Sequence, residues 1–413
     1  MPITGEEAEA IRKAGAALWR DDAGNASAEP FEPIPGHALF RIRKRSNGAC
    51  GFLTAEGRCA IHETLGERLK PIACRLFPFS FRPTPHEIVV SVSFACPTVI
   101  MNKGDAVSIQ RGALGALRAA WDRAFPEPTS PTEFVRGRAI SRDALARMRT
   151  YLVLLLDRSP DVRGNLRRIA ALLSDWSRSK VLQLEPDAFV EYLELTGNYA
   201  LSAETPAPAR EAGRVARLLF RGFLFAVLAL QVRLDASSNR GSAPNPGSVA
   251  RGGPETPLRS LAGAPRAPRR PRGRLAIGFT LARLLAHVHG LGPAVAGFDL
   301  RRAMRLSIAL DDPAVHAIVH RHLQAGLETL GATRRPVIDE IAMRVSYLNA
   351  ACVVGAMHAA TAGKSSVDAE SLTQGLLAAG DLSQTDGGGR LSALLTTFAG
   401  GVEALRLFPP LRS

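Results

Sequence analysis

The sequence predicts a mainly α protein: a small cysteine-rich α+β metal unit at the N-terminal end, followed by helical regions. Three observations lead there. Beyond about residue 104, apolar residues recur at intervals of three and four, the spacing of a helix face. Alternation with a period of two, the mark of a half-buried strand, is confined to two short stretches before that point. Four of the five cysteines also fall within the first 103 residues.

The elements follow in order. Thr4 and Glu7 have capping-box spacing, which starts an amphipathic helix over Glu6 to Trp19. Residues Asp21 to Gly36 carry two Asp, three Pro and two Gly without periodicity, so a loop is expected. Phe40 and Ile42 alternate with Arg41 and Arg43 in a short strand. A clearer strand is expected over Glu87 to Cys96, with Ile88, Val90, Val92 and Phe94 on one face, a parity that turns Cys96 inward.

Residues 104–235 read as helices throughout. Ile109, Leu117 and Trp121 lie at multiples of four, Ser141 opens a helix carrying Tyr151 to Leu156, and Asn165 to Trp176 and Phe189 to Leu195 continue the pattern. An apolar helix is expected around Arg214 to Leu234. Residues 236–274, rich in Pro, Gly, Ser and Arg, have almost nothing to bury and read as a disordered linker. Residues 275–413 are again helical, with helix starts at Asp312-Pro313 and Pro336 and a break at Gly387 to Gly389.

At 413 residues the chain has room for two or three folding units. With 46% hydrophobic and 22% charged residues and a mean hydropathy of +0.03, its balance is that of a soluble globular protein. The apolar stretches Tyr151 to Leu156 and Gly222 to Leu230 are too short to cross a bilayer, so no membrane partner is expected.

Lys and Arg together number 52 against 38 Asp and Glu. Such an excess suggests a polyanion until its placement is considered. Residues 236–274 alone contain eight Arg and one Glu, and only six of the 52 basic residues are Lys. GC-rich coding accounts for that pattern, and no aromatic residues interleave the charge, which argues against nucleic acid as a partner. An odd cysteine count without a leader-like start points to a reducing, cytoplasmic setting.

Chemistry is expected where Cys50, Cys59, Cys74 and Cys96 converge. They are separated by 8, 14 and 21 residues, not the paired short gaps of a zinc ribbon. Their neighbours say more. Gly51 and Gly57 permit tight turns; Arg58, Lys70 and Arg75 favour ionised sulfur; Phe77 and Phe79 exclude water; Pro97 fixes the chain past Cys96. Four thiolates suit one tetrahedral zinc or one four-iron cluster, and the spacing does not choose between them.

The run GACGFLTAEGRCAIHETLGERLKPIACRLFPFSF, with the later SFACP, resembles the YkgJ-type cysteine-cluster family of zinc- or iron-chelating domains, which includes flagellin lysine N-methylase. Cys50 before Phe52-Leu53, Gly57-x-Cys59, Pro71 before Cys74-Arg75, Pro78, and Cys96-Pro97 occupy the family's places over about 95 residues. The family's earlier group, two Cys followed by a Cys-Cys pair, has no counterpart, since no Cys precedes Cys50. Either the coding start lies upstream of Met1, the favoured expectation because the later cysteines keep their context, or part of the metal site has been lost, which would put any activity needing the full set in doubt. The resemblance implies an iron–sulfur cluster or zinc as cofactor and S-adenosylmethionine as methyl donor. It further implies a protein substrate or partner of flagellin-like kind, with lysine methylation as the activity. A metal-stabilised interaction module without catalysis is the alternative.

The remaining candidates read as structural. Cys352 lies in an Ala-rich helix and should simply pack. His316 and His320 are one turn apart, with His322 nearby, but no HExxH motif accompanies them. His62, three residues after Cys59, is the better accessory ligand, although a surface role outweighs it. Gly363-Lys364-Ser365 lacks the earlier Gly of a phosphate loop, and no G-x-G-x-x-G follows a strand. No catalytic base is identifiable.

Overall fold

The computed structural model describes residues 3–21, 24, 29–34, 36–45, 49–84, 87–124, 131–203, 300–303, 305–331, 335–383 and 405. Among these the protein is mainly helical with four small sheets, the expected fold class. The readings at 214–234, 236–274 and 387–389 lie outside the described residues. The chain divides into two compact units.

The first unit contains residues 1–77 and 105–127. Strand β1 (Ile3–Thr4) leads into α1 (Gly5–Gly15), and the capping box is complete: Glu7 N–H donates to Thr4 Oγ1 at 3.1 Å, and Thr4 N–H to Glu7 Oε2 at 3.0 Å. A 3-10 turn at Ala16–Leu18 ends the helix earlier than Trp19. β2 (Phe31–Pro33) and β1 flank β3 (Leu39–Ile42) in an antiparallel sheet. The expected loop at 21–36 therefore contains a strand. Phe31 is 1% exposed, and pairing with β3 supplies backbone partners that local sequence does not announce. α2 (Ala60–Leu65) and α3 (Ile72–Leu76) follow. After α4 (Pro97–Ile100) of the other unit, α5 (Arg111–Ala124) packs on α3. Ile109, assigned to that helix, lies before its start and is exposed. The core is Ile3, Ala8, Ile11, Trp19, Phe31, Phe52 and Ile61, with Cys50 and Cys59 against its edge.

The second unit contains the described residues within 78–104, 128–203 and 300–405. Its hairpin joins β4 (Phe79–Pro83) to β5 (Ile88–Val92). The strand is shorter than expected and its start departs from the expected alternation: Val89 is buried and Ile88 is 53% exposed, while Val90, Ser91 and Val92 are all half-buried. The chain turns after Val92, and Cys96 is buried as the N-cap of α4, not by strand parity. A second hairpin, β6 (Glu133–Val135) and β7 (Arg138–Ala139), interrupts the stretch expected to be helical throughout. Gly137 supplies its positive φ of 79°.

Helices α6 (Arg142–Leu156), α7 (Val162–Trp176), α8 (Ser179–Leu182) and α9 (Pro186–Ser202) follow. Ser141 caps α6 as expected, donor Ala144 N–H lying 3.2 Å from its Oγ. α10 (Leu300–Ala303), β8 (Ser307–Ile308), α11 (Pro313–Glu328), α12 (Val337–Thr361), β9 (Ser366–Val367) and α13 (Ala369–Ser383) complete the unit. Both predicted starts are present, Asp312 capping Ala314 N–H at 2.8 Å and Pro336 standing at the N-cap of α12. β8 and β9 pair in parallel across the connection that α11 and α12 form. No helix among the described residues is long and apolar enough to cross a membrane.

α12 is buried along most of its length, with Cys352 at 0% exposure. The buried carboxylate in its first turns is paired. Glu340, fully buried, accepts from Arg344 at 2.9 Å and from Gly331 N–H at 2.9 Å. Arg82 donates to Gly331 O, and Arg149 reaches Leu330 O at 3.1 Å while pairing with Glu87 at 2.7 Å. The turn end of the β4–β5 hairpin is thereby tied to α6 and to the turn after α11. That is the physical reason residues 78–104 cluster with the helices.

His322 is half-buried and meets Phe94 edge to face, centroids 4.7 Å apart, with Arg344 O 3.4 Å from its Nε2. Burial lowers its pKa from 6.5 to about 4. Its neutral form is thus the folded form, and between those values the unfolded chain binds the extra proton. Stability should be complete above pH 6.5 and fall by on the order of 3 kcal/mol as the pH drops to about 4. Chemical denaturation between pH 7 and 4 checks this, and His322→Leu should flatten the slope. At the α12–α13 contact, a Cβ on Gly375 would collide with Ala351 O, whereas one on Gly112 of α5 meets nothing. Gly375→Ala should therefore cost about 2–3 kcal/mol or more, and Gly112→Ala should gain up to about 1 kcal/mol, both read from urea midpoints.

Candidate metal centre

The cysteine scaffold starts at Trp19. Its Nε1 donates to Arg43 O at 3.1 Å, and its ring covers Gly51 so closely that any Cβ there would overlap it. Gly51 is required for space and Gly57 for its positive φ of 79°. Both glycines therefore serve the tight turns expected of them. Gly51 O accepts from Arg20 N–H at 2.9 Å and from Arg45 at 3.2 Å, and Arg45 also reaches Leu53 O at 2.8 Å.

Isolated bridges pair Lys44 with Cys50 and Leu53 with Cys59. A turn in which Gly57 N–H donates to Thr54 O at 3.0 Å brings the chain back to Cys59, the N-cap of α2. Cys74 lies within α3. That helix has no side-chain cap of its own, because Pro71 stands at its N-cap. Glu7 of α1 fills the gap, its Oε1 accepting from Ile72 N–H at 2.7 Å. One carboxylate thus closes the capping box of α1 and the start of the helix that carries Cys74.

Cys50, Cys59 and Cys74 are half-buried free thiols close enough to interact electrostatically. Burial pushes the Cys50 thiol up, with Cys59 adding to the rise, while the Phe52 N–H, Arg45 and Lys44 oppose it. Burial and then the neighbouring Cys50 push Cys74 up to about 11, against the pull of Lys70. The cations differ in part from those expected. Lys70 acts as anticipated, but Arg58 pairs with Glu63 at 2.6 Å and Arg75 with Glu67 at 3.7 Å. Arg45 and Lys44, on the strand-like segment beside Cys50, act in their place.

The shielding aromatic also differs. Phe77 is 37% exposed, whereas Phe52, 1% exposed and 6.2 Å from the ring of Phe31, seals the scaffold. Cys96 belongs to the second unit, where it is buried and its N–H donates to Ser93 O at 3.2 Å. His62 is exposed. His316 and His320 stack at 5.8 Å but engage separate oxygens, Pro160 O at 3.2 Å and Asp157 Oδ1 at 2.8 Å. Cys352 sits alone in α12, its thiol pushed far up by burial.

Three soft sulfur donors with adjacent cations fit a thiophilic metal in their chemistry. In their placement they stop short of a coordination sphere: among the described residues, no group of three or more His, Cys, Asp or Glu is arranged to hold a metal ion. Glu7, Trp19 and Arg45 are the supporting residues that local reading of the cysteine motif passes over. Only Glu7 carried a signal, its place in the capping box.

Glu7→Ala should lower stability by about 3 kcal/mol, because it removes the partner of two helix-start N–H groups. Glu7→Gln keeps one acceptor oxygen and should lose about half as much, as urea denaturation will read. In comparisons with known protein families, curated proteins and solved structures, none matches the chain.

Proposed function

We propose that the protein is a cysteine-cluster metal-binding protein whose Cys50, Cys59 and Cys74 hold an iron–sulfur cluster or zinc. The observation that carries this reading is the electrostatic proximity of three half-buried thiols on one scaffold, with Lys44, Arg45 and Lys70 beside them. Left protonated, thiols so placed are merely small apolar groups. A bound metal would replace their protons, compensate their charge and fix the turns between them.

Methyl transfer from S-adenosylmethionine to lysines of a flagellin-like protein is the activity suggested by the motif resemblance. It rests on the run from Cys50 to Pro78 and on Cys96-Pro97. Metal-stabilised protein interaction is the reading that asks least of the residues present, since it needs no general base.

Protein purified without chelator should carry iron or zinc. Cys59→Ser and Cys74→Ser should lose most of it, and Cys352→Ser should retain it, as elemental analysis will measure. Cys96→Ser reads the contribution of the fourth motif cysteine. Iron with absorbance in the blue marks a cluster, and colourless protein with zinc a structural site. Neither metal in wild-type protein would end the proposal. Transfer of a labelled methyl group to flagellin would separate the enzyme from the module.

A further inference from the structure

The second unit holds a cavity of about 490 Å³ below the β6–β7 hairpin and the start of α6. Its size falls in the range of small-molecule sites. The apolar part of its wall includes Leu145 and Phe189, both 5% exposed, and Phe189 is braced by Phe134 at 5.8 Å. These side chains would exclude water from a ligand lying on them.

The polar part of the wall has an uneven charge. Glu87 is already neutralised by Arg149 at 2.7 Å. Arg138 spends one nitrogen on Leu184 O at 2.6 Å, and neither it nor Arg142 has an ion-pair partner among the described residues. Two guanidinium groups thus border a largely apolar space without a matching carboxylate. Thr132, only 6% exposed, also lines the cavity, and its hydroxyl has no hydrogen-bond partner among the described residues. That hydroxyl can therefore donate to or accept from a ligand oxygen. The first turn of α6, with Ser141 at its cap, adds the positive end of a fifteen-residue helix.

We propose that this cavity binds a small organic carboxylate with an apolar body. The carboxylate sits between Arg138 and Arg142, within reach of the Thr132 hydroxyl, and the body lies on Leu145 and Phe189. Arginine suits the role because its planar fork meets a carboxylate through two parallel N–H donors. The assignment is independent of the cysteine reading.

Phenylacetate serves as the probe, with phenylacetamide as its uncharged counterpart and inorganic phosphate as an anion without a body. Calorimetric titration of the full chain should show saturable phenylacetate binding, with phenylacetamide at least about tenfold weaker. Arg142→Gln, at an exposed position, should weaken phenylacetate about tenfold without lowering the melting temperature, and Thr132→Val should weaken it by a smaller factor. Arg138→Gln should match Arg142→Gln if it folds; Arg142→Gln alone decides the matter if it does not. The proposal is overturned by absence of saturable phenylacetate binding, by equal binding of phenylacetamide, or by an unchanged affinity in Arg142→Gln. Phosphate binding as tightly as phenylacetate would likewise overturn it, since no apolar body would then be required.

Discussion

The cysteine scaffold depends on the carboxylate of Glu7. A helix start leaves its first N–H groups without intrahelical partners, and a short helix that begins after a proline has few means of satisfying them. α3 is such a helix, and it carries Cys74. Glu7 reaches across 65 residues of sequence to accept the Ile72 N–H while its other oxygen accepts from Thr4. α1 and α3 therefore hold a fixed relation through one ionised side chain. The position of Cys74 relative to Cys50 and Cys59 follows from that relation, because α1 also packs on the core against which those two cysteines rest.

Within that frame the thiols of Cys50 and Cys74 meet two opposed influences. Desolvation and mutual repulsion favour the protonated sulfur, and Lys44, Arg45 and Lys70 favour the thiolate. Cys352 marks the limit in which only the first influence acts, inside α12 with no cation beside it. The contrast separates a cysteine used for packing from cysteines whose surroundings moderate their charge. For Cys74 the balance still leaves the thiol protonated at neutral pH, so a metal would have to displace its proton. Binding there is expected to weaken as the pH falls.

Features fixed by a few neighbouring residues were legible in the sequence. The Thr4–Glu7 capping box, Ser141 at the start of α6, Asp312-Pro313 and Pro336 each announce a helix start through local hydrogen bonding or a preset φ, and each stands where expected. What local sequence could not supply was partnership. β2 exists because β3 is beside it, and the β4–β5 hairpin shows Val89 inward because Arg82 and Glu87 anchor it to distant groups. The cysteine motif named the sulfur positions and Lys70. Arg45 and Trp19 could not be foreseen, since both act through the carbonyl groups of a segment that only folding brings to them.

The abundance of arginine over lysine takes on a structural meaning once its acceptors are traced. The side chains are used as donors to backbone carbonyls. Arg45 serves Gly51 and Leu53, Arg149 serves Leu330, and Arg82 serves Gly331. Arg158 and Arg168 reach Ala200 and Ala203 at the end of α9, and Arg321 reaches Ile100 at the end of α4. Helix ends leave carbonyl oxygens without partners, and they carry the negative end of the dipole, so a cation with several donors is suited to them. A lysine ammonium could answer the charge, but it could not span two carbonyls in a fixed plane as Arg45 does. An excess that suggested a polyanion partner therefore serves in part to close the ends of this protein's own helices and turns. Arg138 and Arg142 stand out against that pattern: among the described residues no carboxylate pairs with either, and both border the same cavity.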